Sequence, residues 1–134
     1  MRRSLWGNSV LVPGAIKSSG TGGVGYGPGA GGEAVQGTSK ATGVTLDKTC
    51  GTITMHNAEL AAAAIVSFTV TNSTVAATDV VVIQHDSVAT LGKYLVSANT
   101  MAAGSFNVTV TNISAGNLSE AIVLRFAVIK ATIT

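Results

Sequence analysis

The chain has 134 residues, and its eight Lys and Arg against six Asp and Glu leave a formal net charge of +2. Charged residues make up 10% of it, hydrophobic residues 46% and aromatics 4%, where an average globular protein carries about 25% charge. Such a composition excludes a disordered chain, which joins low hydrophobicity to high net charge, and its scattered cations exclude the basic stripe of a nucleic-acid binder.

The opening stretch, "MRRSLWGNSVLVPGAIKSSG", places two arginines ahead of apolar residues as a signal peptide does. Gly7, Asn8 and Ser9 interrupt the apolar run and Pro13 ends it, so no h-region of normal length remains. A run of about 20 apolar residues, as a membrane-spanning helix requires, is also missing. The expectation is synthesis in the cytosol with no membrane partner.

Residues 20–32, "GTGGVGYGPGAGG", hold eight glycines in thirteen positions. Two frames, 20–25 and 27–32, match G-x-G-x-x-G formally, but a dinucleotide site needs a strand before that turn and a helix after it. Pro28 and its glycine neighbours block the helix, so no nucleotide site, and no cofactor of any kind, is expected. Residues 1–42 lack sustained periodicity and read as an extended N-terminal arm ahead of a folded domain at 43–134. The arm's scattered apolar residues cannot form a core among themselves, so the segment either stays flexible or lies across other polypeptides. Glycine lets such a strap follow a partner's surface without Cβ clashes. Its anchors are Arg2, Arg3, Leu5, Trp6, Val10, Leu11, Val12, Ile16 and Tyr26, with Trp6 as an apolar plug and two cations beside it, since Trp and Arg are enriched at interface hot spots.

From Gly43 onward, period-2 alternation marks strands. "GVTL" (43–46) and "TITM" (52–55) come first. "NAELAAAAI" (57–65) is alanine-rich and reads as a short helix or crossover, because alanine has the highest helix propensity. "VSFTVTN" (66–72) alternates cleanly. "DVVVIQH" (79–85) is a continuous apolar run, as in a central strand covered on both faces. "KYLVSAN" (93–99) is weaker, "SFNVTVTN" (105–112) repeats the clean alternation, and "EAIVLRFAVIKATIT" (120–134) is long. Seven strands at this spacing predict an all-β, antiparallel β-sandwich or barrel. Residues 68–83 and 108–124 share one layout of alternating strand, Thr-Asn, polar loop, acidic residue and apolar strand; the two hairpins are expected at equivalent positions in two facing sheets.

The remaining motifs carry no chemistry. Four T-x-T triplets (52–54, 69–71, 109–111, 132–134) fall at unequal intervals, so they cannot stack into an ice-binding array. Four N-x-S/T sequons begin at Asn72, Asn107, Asn112 and Asn117 and read as turn residues whose side chains bond nearby backbone. The single Cys50 excludes a disulfide framework. His56 and His85, with Glu59 and Asp86 nearby, do not supply the three or four convergent ligands of a metal site. Neither a nucleophile elbow nor a carboxylate pair is present, so neither an enzyme nor a small-molecule substrate is expected. Arg125 interrupts an apolar strand, either facing outward or pairing between subunits with Glu120 or Asp79. With so few charges for solubility, self-association is expected.

The phrases "FTVTNS…AATD" (68–79) and "LSEA…L.FAVIK" (118–130), within residues 37–130, resemble small virion structural proteins of tailed bacteriophages, some of which are capsid decoration, or cement, proteins. The resemblance covers the last two thirds of the chain and leaves the arm outside it. It implies a jelly-roll-like sandwich of seven or eight strands, a homotrimer bound to the major capsid protein on the outer surface of the head, working by buried area and multivalency. The alternative is a tail fibre or spike component, with loops 72–79 and 112–120 as receptor-binding loops.

Overall fold

The computed structural model describes residues 12–133. Among them there is no helix. Eight strands, β1 (Gly31–Val35), β2 (Val44–Thr45), β3 (Cys50–Thr54), β4 (Ile65–Thr71), β5 (Val80–Ser87), β6 (Tyr94–Ala102), β7 (Ser105–Asn112) and β8 (Val123–Ile129), form two four-stranded sheets. Their orders are β1-β3-β8-β5 and β2-β4-β7-β6. The expectation of a purely antiparallel sandwich is corrected here, because β1 pairs β3 and β2 pairs β4 in parallel. The architecture is all-β and β-sandwich-like, with two mixed sheets.

Alternation dictates the layering. In β7 every second residue, Phe106, Val108 and Val110, is fully buried, and Ile53, Leu124, Phe126 and Val128 of the first sheet face them in one core. The Phe106 and Phe126 rings meet across the layers with centroids 5.7 Å apart, within the range of favourable aromatic pairs.

Three sequence expectations change. Residues 57–64 form no helix but an irregular crossover from β3 in the first sheet to β4 in the second, bridged at Leu60 to Leu118, and Ile65 already belongs to β4. Nine residues without an amphipathic stripe are marginal as a helix, and tertiary bonds to the Leu60 and Ala61 carbonyls decide their path. β5 lies at an edge, not at the centre of its sheet, and the outer face of that sheet is open, so Val80 and Val82 are 51% and 53% exposed, as is Ile129 of the inner strand β8 at 52%.

The third change concerns the repeated hairpin. Its copies do not face each other across the core. β4 pairs antiparallel with its own counterpart β7 in the second sheet, and β5 with its counterpart β8 in the first. Phe68 sits opposite Val108, its equivalent at an offset of 40 residues, and Gln84 sits opposite Arg125, its equivalent at an offset of 41. Antiparallel strands that place equivalent residues opposite each other are related by a local two-fold axis. The change of offset is one extra residue in the second loop, between Asn112 and Glu120.

β1 falls inside the stretch that composition sets apart as an arm. Gln36 and Lys40, further along that stretch, are also buried. Gly32 and Gly51, directly opposite in register, let β1 come close to β3, since a Cβ built on Gly51 would stand 2.3 Å from the Gly32 carbonyl oxygen.

Candidate functional site

The two ends of the sandwich differ. At one end the chain enters from the glycine-rich segment into β1 and leaves after β8. Here the hydroxyl of Tyr26 donates to the Val128 carbonyl and pins the root of the segment, while Val12, Ile16 and Val24 remain exposed. Arg2, Arg3, Leu5, Trp6, Val10 and Leu11 lie outside the described residues.

The same end holds the loop 72–79. Asn72 is buried; its amide donates to the Lys48 carbonyl at 2.7 Å and its Oδ1 accepts the Thr74 N–H and hydroxyl. Asp79 accepts the Ala76 N–H at 2.8 Å and the Lys130 ammonium at 2.6 Å. The Ala76 N–H, and after it Lys130, hold this carboxyl below its ordinary value of 3.8. A depressed carboxyl contributes stability that is complete above its unfolded value and lost as pH falls through the folded one. Urea midpoints of the native chain are therefore expected to drop below about pH 4 more steeply than those of Asp79→Asn, and parallel acid limbs would refute this.

The opposite end is closed by polar groups, of which sequence reading names His56, His85 and Glu120 and misses Gln36, Lys40 and Tyr94. Lys40, 3% exposed, donates its ammonium to the carbonyls of His56 and Glu120. Burial lowers its pKa, and the negative charge of Glu120 opposes that in part. Gln36 donates to the Lys40 and Thr42 carbonyls and accepts the His56 N–H. Glu120 accepts the Thr90 N–H and hydroxyl and the Tyr94 hydroxyl at 2.7 Å; the Thr90 hydroxyl, and then Tyr94, lower its pKa. Tyr94 is raised by burial, then by the Glu120 bond. His85 meets Tyr94 edge-on at 5.5 Å and makes its ring bond to the Val88 carbonyl. No sequence signal separates Lys40 from an exposed loop lysine, because its partners are backbone carbonyls distant in the chain.

The residues expected as inter-subunit partners find partners within the chain. Arg125 faces outward and pairs with Asp86 at 3.0 Å, Asp79 holds Lys130, and Glu120 holds Thr90 and Tyr94. The loops 72–79 and 112–120 lie at opposite ends, since β4 and β7 run antiparallel. They cannot form one receptor-binding surface.

Two outer faces remain as surfaces. On the first sheet, the small residues Gly31, Cys50 and Ala127 lie side by side with Val82, and the row beside them carries Glu33, Thr52, Arg125 and Gln84. They form an open groove of about 700 Å³. Among the described residues no cluster of three or more His, Cys, Asp or Glu could hold a metal ion.

The second sheet's outer face is a carpet of hydroxyls and amides. Ser67 bonds Thr109 at 2.7 Å, Thr69 bonds Asn107 at 2.9 Å, and Asn99 bonds Thr109 at 2.9 Å. None of the four strands of this sheet contains a charged residue. No helix among the described residues is long and apolar enough to cross a membrane.

What these features define is a class: a two-sheet, all-β protein whose functional candidates are surfaces. Comparison with known protein families, with curated proteins and with solved structures finds no match to this chain.

Proposed function

We propose that this chain is a virion structural protein of the capsid decoration, or cement, type. In this reading it sits as a homotrimer on the outer surface of a phage head and stabilises the head, with its N-terminal arm strapped onto the major capsid protein or neighbouring subunits. One observation carries the reading furthest: a whole sheet has no charged residue in its strands and exposes Ile65 and Leu95 among its hydroxyls and amides, a face with no charge to desolvate when it is covered. The exposed apolar residues of the arm, rooted by Tyr26 at one end of the sandwich, add a second point of attachment, and two linked attachments gain from effective concentration.

The jelly-roll likeness belongs to the phage resemblance and is not carried by the strand order. The fibre or spike alternative gains no support from loops placed at opposite ends.

The test is co-sedimentation with DNA-filled heads that lack the native copy, and with isolated tails as the control. Deleting residues 1–42 would remove β1, Gln36 and Lys40 together, so the informative deletion is 1–30. That variant is expected to keep the sandwich and lose most of its retention on heads. Unchanged retention would remove the strap, and binding to tails alone would reject the cement reading.

A further inference from the structure

We infer that the groove on the outer face of the first sheet takes the tip of this chain's own N-terminal arm, with Trp6 in its trench and Arg3 at Glu33. The inference concerns the free protein; only its consequence for the strap rests on the cement reading.

The register builds the groove. On the outer face Gly31, Cys50, Ala127 and Val82 form one row across the strands. The row on one side carries Glu33, Thr52, Arg125 and Gln84, and on the other side stand Ile129 and Val80. Three small residues between larger neighbours leave a trench, and its volume of about 700 Å³ suits a compact, largely apolar group. Its apolar wall is uncovered, since Val80, Val82 and Ile129 are half exposed. Its charge is unbalanced as well. Asp86 neutralises Arg125 at 3.0 Å, whereas Glu33 makes no ion pair among the described residues. A fitting occupant brings one large apolar side chain for the trench and one cation for Glu33.

Residues 2–6, "RRSLW", bring both. Ala127 on β8 and Glu33 on β1 stand two strands and one row apart, a separation of about 12 Å at ordinary sheet spacings. Three residues of extended chain span about 10 Å, and an arginine side chain covers the rest. Trp6 over Ala127 therefore sets Arg3 at Glu33. The Arg125 guanidinium borders the trench, where it can stack on the indole.

The tether selects the chain's own tip over other occupants. The arm is rooted beside the trench: Tyr26 donates to the carbonyl of Val128, the residue after Ala127, and Gly31 itself lines the groove. Trp6 and Tyr26 are 20 residues apart, which in a Gly-rich chain gives a mean span of about 25 Å, enough to reach back. The chain turns within that stretch, where the Gly23 N–H donates to the Ser18 hydroxyl at 2.9 Å and Gly20 has φ 79°. A tip so tethered stands at the groove in millimolar effective concentration, which a free competitor must exceed. In the cement reading the anchor is then parked in solution and handed over only where many coat subunits compete for it.

The chain has one tryptophan and one cysteine, Trp6 in the tip and Cys50 in the trench, so each side of the contact reports separately. Reaction of Cys50 with an aromatic disulfide reagent is expected to speed up about tenfold when residues 2–11 are deleted, and likewise in Trp6→Ser, for a tip of about 0.1 mM affinity at millimolar effective concentration. Acrylamide is expected to quench Trp6 less in the native chain than in Glu33→Arg, a change at an exposed site on an edge strand. Val82→Lys repeats the test should that variant misfold. Dilution is expected to change neither result. A Cys50 rate indifferent to the tip, or a Trp6 quenched as freely as in the isolated peptide 1–11, would overturn the inference. Protection that fades on dilution would assign the groove to the tip of another copy and overturn it equally. Co-sedimentation with heads decides the cement reading by itself, whatever these rates show.

Discussion

Asn112→Ala is expected to destabilise the protein by about 3–5 kcal/mol, far beyond the loss of a single ordinary hydrogen bond. The Asn112 side chain is 0% exposed. Its amide donates to three carbonyls, Leu60 at 3.0 Å, Ala61 at 3.1 Å and Gly116 at 2.8 Å. Its Oδ1 accepts the N–H and the hydroxyl of Ser114. One side chain thus ties the end of β7 to the irregular segment 57–64 and to the loop that leads into β8. The Leu60 carbonyl loses the amide but keeps the Leu118 N–H, so the cost is that of five lost bonds, to Leu60, Ala61, Gly116 and twice to Ser114, at about 1 kcal/mol each. Ala61 and Gly116 are exposed and recover part of their loss from water, which keeps the total below the sum.

The internal repeat provides the control. Asn72 is the equivalent of Asn112 and builds the same turn with Thr74 that Asn112 builds with Ser114, yet its amide bonds a single carbonyl, that of Lys48. Asn72→Ala is expected to cost roughly half as much, about 2 kcal/mol. Urea unfolding of the two variants side by side measures the difference. Equal midpoints would mean that the three carbonyl bonds of Asn112 contribute nothing beyond the turn.

The residues that make strands legible in a sequence are those with a large apolar side chain at every second position, and here that condition separates what could be read from what could not. β4 and β7 announce themselves through Phe68, Val70, Phe106, Val108 and Val110, all of them in the core. β1, "GGEAV", offers only Ala34 to the core, and its glycines look like a linker until Gly51 is placed against Gly32. β5 was readable as a strand but not as an edge. A run of valines is consistent with burial on both faces, and only the sheet order shows that Val80 and Val82 face out. The repeated hairpin was visible as a pattern, whereas the pairing of each strand with its own counterpart was not, because similarity carries no information on which copy lies beside which.

The buried polar end was the least legible part. Gln36 and Lys40 sit in "VQGTSKATG" (35–43), a polar stretch with turn residues, and nothing in it distinguishes them from solvated side chains. Burial of a lysine requires acceptors, and the acceptors are the carbonyls of His56 and Glu120, 16 and 80 residues away. Side chains expected to matter by their charge, Asp79 and Glu120, do matter, but as local organisers of loops. The second sheet is marked instead by what its strands lack, a charged residue.

Gly51→Ala is expected to release β1 from the first sheet while the rest of the core holds. The added Cβ would stand 2.3 Å from the carbonyl oxygen of Gly32 and 3.1 Å from a Leu46 methyl. The first of these contacts is with backbone and cannot be relieved by a rotamer change. β1 is an edge strand, bonded only to β3, so the easiest relief is for it to lift away. The cost is about 2–3 kcal/mol, typical of overpacking. Amide exchange of residues 31–35 should become fast, with protection retained in β4 and β7. Gly31→Ala is the matched control: its Cβ would point outward at 3.6 Å from the Cys50 sulfur, an ordinary contact, and a surface change of this kind stays within about 0.5 kcal/mol. Because β1 connects directly to the arm root at Tyr26, Gly51→Ala should also weaken retention on heads, and Gly31→Ala should not. If both alanines behave alike, the close approach at Gly32 and Gly51 is not what seats β1, and the arm is not held in place through it.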